Sequence, residues 1–289
     1  MSDERSSAPL ASFESKWSEA YPEFGLALRF LRGADRDEQG AFACLAFEIE
    51  HAAFAIREAQ PAAIKLQWWA DELARAAKGE SRHPLTQVLG ERIAASAISA
   101  EQWQSVVVGA FAQRDAEPAA DGTVLLAQYA ELYAPLGAIE AALFGTHATS
   151  IAGVLARRRA LREAAALRSA LQDGKLPLPL DLLASHRLTR GNLGAASEAR
   201  GSLLREWFGR LGDELAGFVK AQEIAAPTSH VGPAQPLGIV RATMAAADAV
   251  RAERARRARD PLAALNEALG TLSIPVAWSA WRAARRSRA

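Results

Sequence analysis

Two pairs of acidic and imidazole side chains in this sequence have a spacing that could bind metal. Glu48 and His51 are three residues apart, and Glu80 and His83 repeat the same Glu-x-x-His spacing. On a helix, residues three apart lie on one face. The motif supplies half of the ligands of a carboxylate di-iron centre, so a di-iron protein is one interpretation of the chain.

The second pair argues against that interpretation. It lies between Gly79 and Pro84, two residues that interrupt helices. A di-iron centre also requires inward-facing glutamates on two other helices, and these are not evident, although Glu101 and Glu140 are available. We therefore expect the first pair to flank a buried helical stripe and the second pair to lie in a solvated loop.

A cluster of arginines is the second feature with chemical potential. Arg157, Arg158 and Arg159 are consecutive, and Arg162 follows one helical turn after Arg158. Guanidinium groups bind diphosphate or acidic head groups bidentately. Consecutive residues of a helix point in different directions, so these arginines cannot all face one ligand. We expect a solvated face, with Arg158 and Arg162 as candidates for an anionic ligand.

The elements that position these residues are predicted to be helices throughout. β-Branched runs are short, and no hairpin turn signal separates alternating segments. Asp35 to Glu38 fits a capping box, and apolar residues then recur at spacings of three and four through Ile56. Interruptions rich in proline, at 174–179 and 225–236, are too short for domain linkers. Further helices are predicted at 99–115, 122–144, 150–172, 193–222, 234–258, 261–270 and 274–287.

The bulk properties indicate one globular domain. The chain has 289 residues, of which 50% are hydrophobic and 23% charged, so it can bury a large core. The net charge of +1 gives no overall field that would attract nucleic acid. Residues 1–12 are polar and predict a flexible tail, which leaves 13–289 as the domain. The lone cysteine, Cys44, excludes an internal disulfide and suits a cytoplasmic location.

Several segments resemble the squalene/phytoene synthase family, the head-to-head prenyl synthases. The tryptophan pair within 64–73 and the His-Pro-Leu that follows resemble the segment after the first aspartate motif of that family. Residues 129–145 are similar to its Ala-Gly helix, and 174–179, Gly-Lys-Leu-Pro-Leu-Pro, to its Gly-Arg-x-Tyr-Leu-Pro. The resemblance implies an all-α, single-domain helical bundle of the isoprenoid synthase type.

The aspartates of that family are missing from this sequence. The first motif, Asp-Asp-x-x-Asp, holds magnesium against the substrate diphosphate, but Ala52, Ala53 and Ile56 stand at the matching positions. Where the second motif is expected, between residues 145 and 173, only Glu163 and Asp173 are acidic. Because ionising an allylic diphosphate depends on metal ions, the resemblance implies the degenerate branch, similar to complex I assembly factor-like members.

The resemblance therefore implies a protein without catalytic residues, bound metal or cofactor. It would bind an isoprenoid or other apolar ligand in the helical cavity, or act as an assembly factor that binds a protein partner. The candidate ligand or cavity residues are Phe47, Glu48, His51, Tyr129, Tyr133, Arg158 and Arg162.

The alternative is an active transferase of farnesyl or geranylgeranyl diphosphate with relocated metal ligands. Only this alternative requires Mg²⁺, whose preferred ligands are carboxylate and phosphate oxygens. The candidate oxygens belong to Glu48, Glu50 and Glu58 in the first-motif helix and to Glu163 in the second.

The C-terminal end is basic. From residue 236 to 289, ten arginines outnumber four acidic residues, a local net charge of +6. Five of the arginines cluster between 251 and 259, and four lie between 282 and 288, close to Trp278 and Trp281. Cations suit helix C-termini. Arginines beside interfacial tryptophans also suit peripheral contact with an anionic membrane.

Overall fold

The computed structural model describes residues 4–224 and 237–286, and this part of the chain is helical with no strand. A π-helical turn, His51–Ala55, follows the third helix. The predicted all-α single domain is confirmed, whereas the loop predicted at 225–236 lies outside the described residues. The helices are α1 (Glu4–Ala20), α2 (Pro22–Leu28), α3 (Gly33–Glu50), α4 (Ala59–Ala76), α5 (Pro84–Val88), α6 (Gly90–Ala95), α7 (Ala100–Ala112), α8 (Gly122–Phe144), α9 (Ala148–Ala165), α10 (Leu167–Gln172), α11 (Leu180–Ser185), α12 (Glu198–Ile224), α13 (Ile239–Arg257), α14 (Pro261–Leu269) and α15 (Ile274–Arg286).

Two buried helices form the centre of the bundle. Every residue of α3 from Gly40 to Glu50 is buried, as is every residue of α13 from Val240 to Asp248. α13 packs against α2, α9, α12, α14 and α15. The charged side chains of a helix that is buried on all sides cannot reach solvent, so they need partners inside the bundle.

α7 and α8 cross with their backbones in close contact at Gly109. A Cβ atom at this position would lie 2.2 Å from the carbonyl oxygen of Glu131, so only glycine fits. α8 begins after Asp121, whose carboxylate accepts two backbone N–H groups of the first turn at 2.7 and 2.9 Å. It ends at Gly145, which has a φ of 67°, and its bounds match the predicted 122–144.

The predicted capping box at Asp35 is wrong. α3 begins at Gly33, and its N-cap residue Arg32 makes no side-chain capping bond. Asp35 lies inside the first turn and accepts a hydrogen bond from Arg92 at 3.0 Å. An acidic residue in the first turn stabilises the helix through the macrodipole without capping it. The helix predicted at 150–172 is likewise divided at Ala166 into α9 and α10.

The first helix covers residues that the composition assigned to a tail. α1 begins at Glu4, and Leu10 is buried against the core, so residues 9–12 belong to the folded domain. Leu10, Phe13 and Trp17 recur at spacings of three and four and lie on one face. These three residues are enough to anchor the helix to the core, although most of the segment is polar.

The apolar stretch from 132 to 156 forms the end of α8 and the start of α9. Neither helix spans a bilayer: within the ranges 4–224 and 237–286, no helix combines the length and the hydropathy that crossing a membrane requires.

Candidate functional site

The positions that match the missing aspartates lie at the end of α3. Ala52 and Ala53 belong to the π-helical turn and are fully buried, whereas Ile56 follows in an extended conformation. The repeat of apolar residues predicted a helix through Ile56, but Ile56 lies beyond the helical turn, so the three residues do not share one continuous helix face. Arg114 holds this end, because its guanidinium donates to the carbonyl oxygens of Ala52 at 3.0 Å, Ile56 at 2.9 Å and Arg57 at 3.3 Å. These bonds satisfy carbonyl groups that a helix end leaves unpaired.

Glu48 binds two lysines. Its carboxylate forms ion pairs with Lys16 and, at 2.6 Å, with Lys65. It also accepts the indole N–H of Trp17 at 3.1 Å. Burial alone would raise the pKa of Glu48, but the bonds from Lys16 and Lys65 outweigh it and lower that pKa. Both oxygens are engaged, so Glu48 is a poor candidate for a metal ligand.

His51 is half-buried one turn further along, with its ring centroid 6.1 Å from that of Trp17. Burial lowers the pKa of His51, and the two neighbouring lysines lower it further. His83, in the loop that the sequence predicted, caps α5 through its Nδ1, which accepts the N–H of Leu85 at 3.2 Å. Among the described residues, no group of three or more His, Cys, Asp or Glu side chains is placed to hold a metal ion. The described residues therefore contain no set of ligands for a di-iron centre.

The four arginines of α9 lie against the bundle and are paired with carboxylates, which corrects the predicted solvated face. Arg158 is 4% exposed. It donates through Nε to Asp248 at 2.7 Å and through a terminal nitrogen to Glu23 at 3.1 Å. Arg162 donates to the same two carboxylates, at 2.7 Å to Glu23 and 3.3 Å to Asp248. Arg251 of α13 completes the set at 2.8 Å from Glu23 and 2.9 Å from Asp248. We call these five residues the inner ion network.

The inner ion network holds three cations and two anions away from water. Burial favours the neutral form of Asp248, but the three arginines outweigh it and hold the pKa of Asp248 well below its usual range. Burial likewise opposes the charge of Arg162, yet Asp248 and Glu23 raise its pKa. Arg251, which the sequence assigned to an exposed basic helix end, is fully buried and also donates to the carbonyl of Thr271 at 3.0 Å. Such a network is stable only while every partner is present.

Arg159 organises a second group of charges. It donates to Glu50 at 2.6 Å, to Glu163 at 3.2 Å and to the hydroxyl of Tyr133 at 3.2 Å. Its guanidinium lies over the ring of Phe54, 4.2 Å from the centroid. Burial would lower the pKa of Arg159, but Tyr133 and Glu50 raise it. Glu50 and Glu163, proposed as relocated metal ligands, are therefore both bound by one arginine.

The remaining candidates lie around these charges. Phe47 packs on Tyr21 with ring centroids 4.7 Å apart, in an aromatic cluster with Trp17 and Phe24. Tyr129 lies beside Phe54, and its burial raises the pKa of its hydroxyl through desolvation. The fourth relocated candidate, Glu58, is exposed. None of these residues is placed with enough other oxygen ligands for a divalent cation.

A cleft of about 590 Å³ opens between the end of the π-helical turn and the helices α9 and α10. Cations outnumber acids on its walls, and one acid, Asp173, is paired with Arg57 at 3.2 Å. Lys175 is exposed and forms no ion pair with any carboxylate of the described residues. Lys175 lies in the segment 174–179 noted for its resemblance, but nothing in the sequence indicated that Arg57 and Lys175 meet at one cleft. The charged lining consists of Arg57, Arg114, Arg159, Arg162 and Lys175 against Asp115, Glu163 and Asp173.

The donor set does not fit the magnesium that the transferase alternative requires. Mg²⁺ requires oxygen ligands in near-octahedral geometry, usually with one or two carboxylates. Ala52, Ala53 and Ile56 supply no side-chain oxygen, and Glu163 and Asp173 are engaged by arginines. The excess of cations suits an anionic group instead.

The described helices form the bundle of an isoprenoid synthase-type fold. The chain is similar to the squalene synthase HpnC from Alicyclobacillus acidocaldarius, with a TM-score of 0.65 and 12% identity over 91% of this chain and 95% of that one. It is also similar to a dehydrosqualene synthase solved in complex with ligand, with a TM-score of 0.67 and 10% identity over 91% and 96% of the two chains. No family model and no curated protein matches the sequence. At these identities the likeness shows the fold alone, and the site residues must decide the chemistry.

Proposed function

We propose that this protein is a catalytically degenerate relative of the squalene and phytoene synthases that binds an isoprenoid-like molecule with an anionic head group. The cleft beside α9 is the binding site, and binding needs no metal. The observation that carries the proposal is that Arg159 engages Glu50 and Glu163. Two of the carboxylates that the transferase alternative would need as relocated metal ligands are thereby committed to an arginine.

The lining of the cleft matches an amphiphilic ligand. Arg57 and Lys175 are exposed at the cleft and can reach a phosphate or diphosphate. Guanidinium and ammonium groups bind such anions directly. Phe54, Ile56 and Ala170 also line the cleft and provide apolar surface for a hydrocarbon chain. Polar recognition of the head group and apolar contact with the chain thus come from one site.

Binding of this kind does not lead to turnover. Cleavage of an allylic diphosphate transfers a full charge to the leaving group, which bound metal ions stabilise as Lewis acids. Cations that bind the intact ligand as strongly as they bind the transition state of cleavage stabilise the two states by the same amount. Such binding leaves the rate of cleavage unchanged. We therefore expect affinity for the diphosphate ligand without its ionisation.

The first test is turnover and binding with the full chain. Farnesyl diphosphate is incubated with the protein and Mg²⁺, and released diphosphate is measured. We expect no release above a blank without protein, together with a rise in melting temperature that is the same in Mg²⁺ and in EDTA. Release of diphosphate by the wild-type protein would overturn the proposal. Binding that EDTA abolishes would instead support the transferase alternative.

The second test locates the site. Lys175→Glu and Arg57→Glu should each weaken binding of farnesyl diphosphate about tenfold, the loss expected for one charge-assisted contact. Lys78→Glu is the matched control, because Lys78 is an exposed cation in the turn after α4 and does not line the cleft. Equal affinities in all three variants would place the ligand elsewhere.

A further inference from the structure

α15 leaves one of its faces exposed. The opposite face packs into the bundle, chiefly against α13, through Val276, Ala280, Ala283 and Ala284. On the open face, Ile274 is 86% exposed and Trp278 is 57% exposed. Trp281 stacks on Trp278 with ring centroids 4.7 Å apart. Isolated exposed apolar residues are ordinary, but a contiguous group that includes two tryptophans marks an interaction surface.

The order of residues along this face combines apolar and cationic groups. Ile274, Trp278, Trp281 and Arg285 follow one another at spacings of four, three and four, so they form one stripe along the helix. The guanidinium of Arg285 lies 5.1 Å from the ring centroid of Trp281. Arg282 follows Trp278 by one turn and is also exposed. We call Ile274, Trp278, Trp281, Arg282 and Arg285 the α15 face.

Among the residues that the structure describes, the arginines of the α15 face have no acidic partner. α15 contains no aspartate or glutamate. Within the described residues, neither Arg282 nor Arg285 lies within ion-pair distance of a carboxylate, whereas the exposed Arg257 of α13 binds Glu253. Their charge is therefore available to an external anion. Two copies of this face packed together would bring like charges into contact, which argues against self-association.

A groove beside the start of α15 extends the surface. It has a volume of about 430 Å³ and lies between α13 and the first turn of α15. Val250 and Val276 give it apolar lining, and the exposed Arg254 and Arg257 also line it. This combination complements an anionic phospholipid: the apolar lining suits the acyl chains, and the basic groups suit the anionic head group.

We propose that the α15 face docks on an anionic phospholipid bilayer. Ile274, Trp278 and Trp281 enter the interfacial region, where tryptophan is favoured, and Arg282 and Arg285 contact lipid phosphates. The helix lies in the plane of the surface, as amphipathic helices do. This inference does not depend on the proposed ligand of the cleft. It places the protein at the surface where an apolar ligand with an anionic head would be found.

Vesicle cosedimentation tests the proposal with the full chain. One set of vesicles contains phosphatidylcholine and phosphatidylglycerol, and the other contains phosphatidylcholine alone. We expect the protein to sediment with the anionic vesicles, to bind the neutral vesicles much more weakly, and to dissociate as salt is raised. Equal binding to both kinds of vesicle, or no binding to either, would overturn the proposal.

Matched variants assign the surface. Arg285→Gln should lower the partition coefficient about fivefold, the effect of one basic residue near an anionic surface, and Trp278→Ser should lower it at least as much. The controls are Lys78→Gln and Ile64→Ser, which change an exposed cation and an exposed aliphatic residue away from α15. All four sites are exposed, so unchanged melting temperatures should confirm folding. Losses of equal size in the controls would count against the assignment, as would a dimer in equilibrium sedimentation that only Trp278→Ser dissociates.

Discussion

α9 and α15 carry the same kinds of residue and use them in opposite ways. Both helices place arginines beside aromatic rings, as Arg162 lies 4.5 Å from the ring centroid of Tyr21 and Arg285 lies 5.1 Å from that of Trp281. Arg158 and Arg162 of α9 are mostly buried and bind carboxylates from α2 and α13. Arg282 and Arg285 of α15 face solvent without an acidic partner among the described residues. Composition therefore does not tell whether a basic segment is structural or available for binding; the carboxylates packed against it do.

α13 shows the same contrast within a single helix. Arg251 is fully buried and paired, while Arg254, three residues further on, has a side chain that is 53% exposed. The difference arises because Arg251 points to the carboxylates of Glu23 and Asp248, and Arg254 reaches only the exposed Glu267. If position decides energy, removing a partner of a buried arginine should cost far more stability than removing an exposed arginine.

The largest effect is expected from Asp248→Ala. The substitution leaves Arg158, Arg162 and Arg251 with Glu23 as their only shared carboxylate. Removing one partner from a buried ion pair leaves an uncompensated charge, so the free energy of unfolding should fall by about 3–5 kcal/mol. Urea denaturation followed by circular dichroism measures it. The control is Asp71→Ala at an exposed position, which should change the value by no more than about 0.5 kcal/mol. A loss as small as that of the control would mean that the inner ion network adds nothing to stability.

A smaller effect is expected from acid. The pKa of Asp248 in the folded chain lies below the unfolded value of about 3.9. The contribution of Asp248 to the free energy of unfolding is therefore complete above about pH 3.9 and is lost as the pH falls through the pKa of the folded state. The pKa values of His51 and His83 are also lowered by burial, so the unfolded chain takes up protons first as the pH falls below about 6.5. Stability should therefore decrease in two stages from neutral pH downward.

The two stages can be separated by variants in urea denaturation at a series of pH values. Asp248→Asn should flatten the decrease below about pH 4, where only carboxylates titrate. His83→Asn, which keeps an acceptor for the cap of α5, should reduce the decrease that begins near pH 6.5. Arg285→Gln should leave both stages unchanged, because the α15 face carries no titrating partner. A curve without any decrease between neutral pH and pH 5 would contradict the lowered pKa values of these two half-buried histidines.

The smallest effect is expected from Arg254→Ala. Arg254 and Glu267 are 3.6 Å apart with side chains 53% and 72% exposed, and exposed pairs contribute at most about 1 kcal/mol and often much less. The same denaturation assay should give a change in the free energy of unfolding below about 0.5 kcal/mol. A loss comparable to that of Asp248→Ala would remove the distinction between the two classes of arginine.

The fold was predictable because its signals are local. The start and end of α8 depend on the N-cap Asp121 and on Gly145, both visible in the sequence. The environment of α9 was not predictable, because Arg158 binds Glu23 and Asp248, which are 135 and 90 residues away in the chain. A basic helix looks solvated until its distant partners are known. The cleft itself was not predictable for a related reason, since Arg57 and Lys175 lie in loops far apart in the sequence and only the fold brings them together.

The inner ion network also has a consequence for the order in which the chain is made. Glu23 and Arg251 are 228 residues apart, yet they form one buried pair. Chains emerge from the ribosome N-terminus first. Arg158 and Arg162 therefore leave it well before Asp248, and until then Glu23 is the only carboxylate of the set that they can bind. The core can close around these charges only after α13 has been synthesised. A nascent or truncated chain that stops short of α13 should thus remain loosely packed and depend on chaperones.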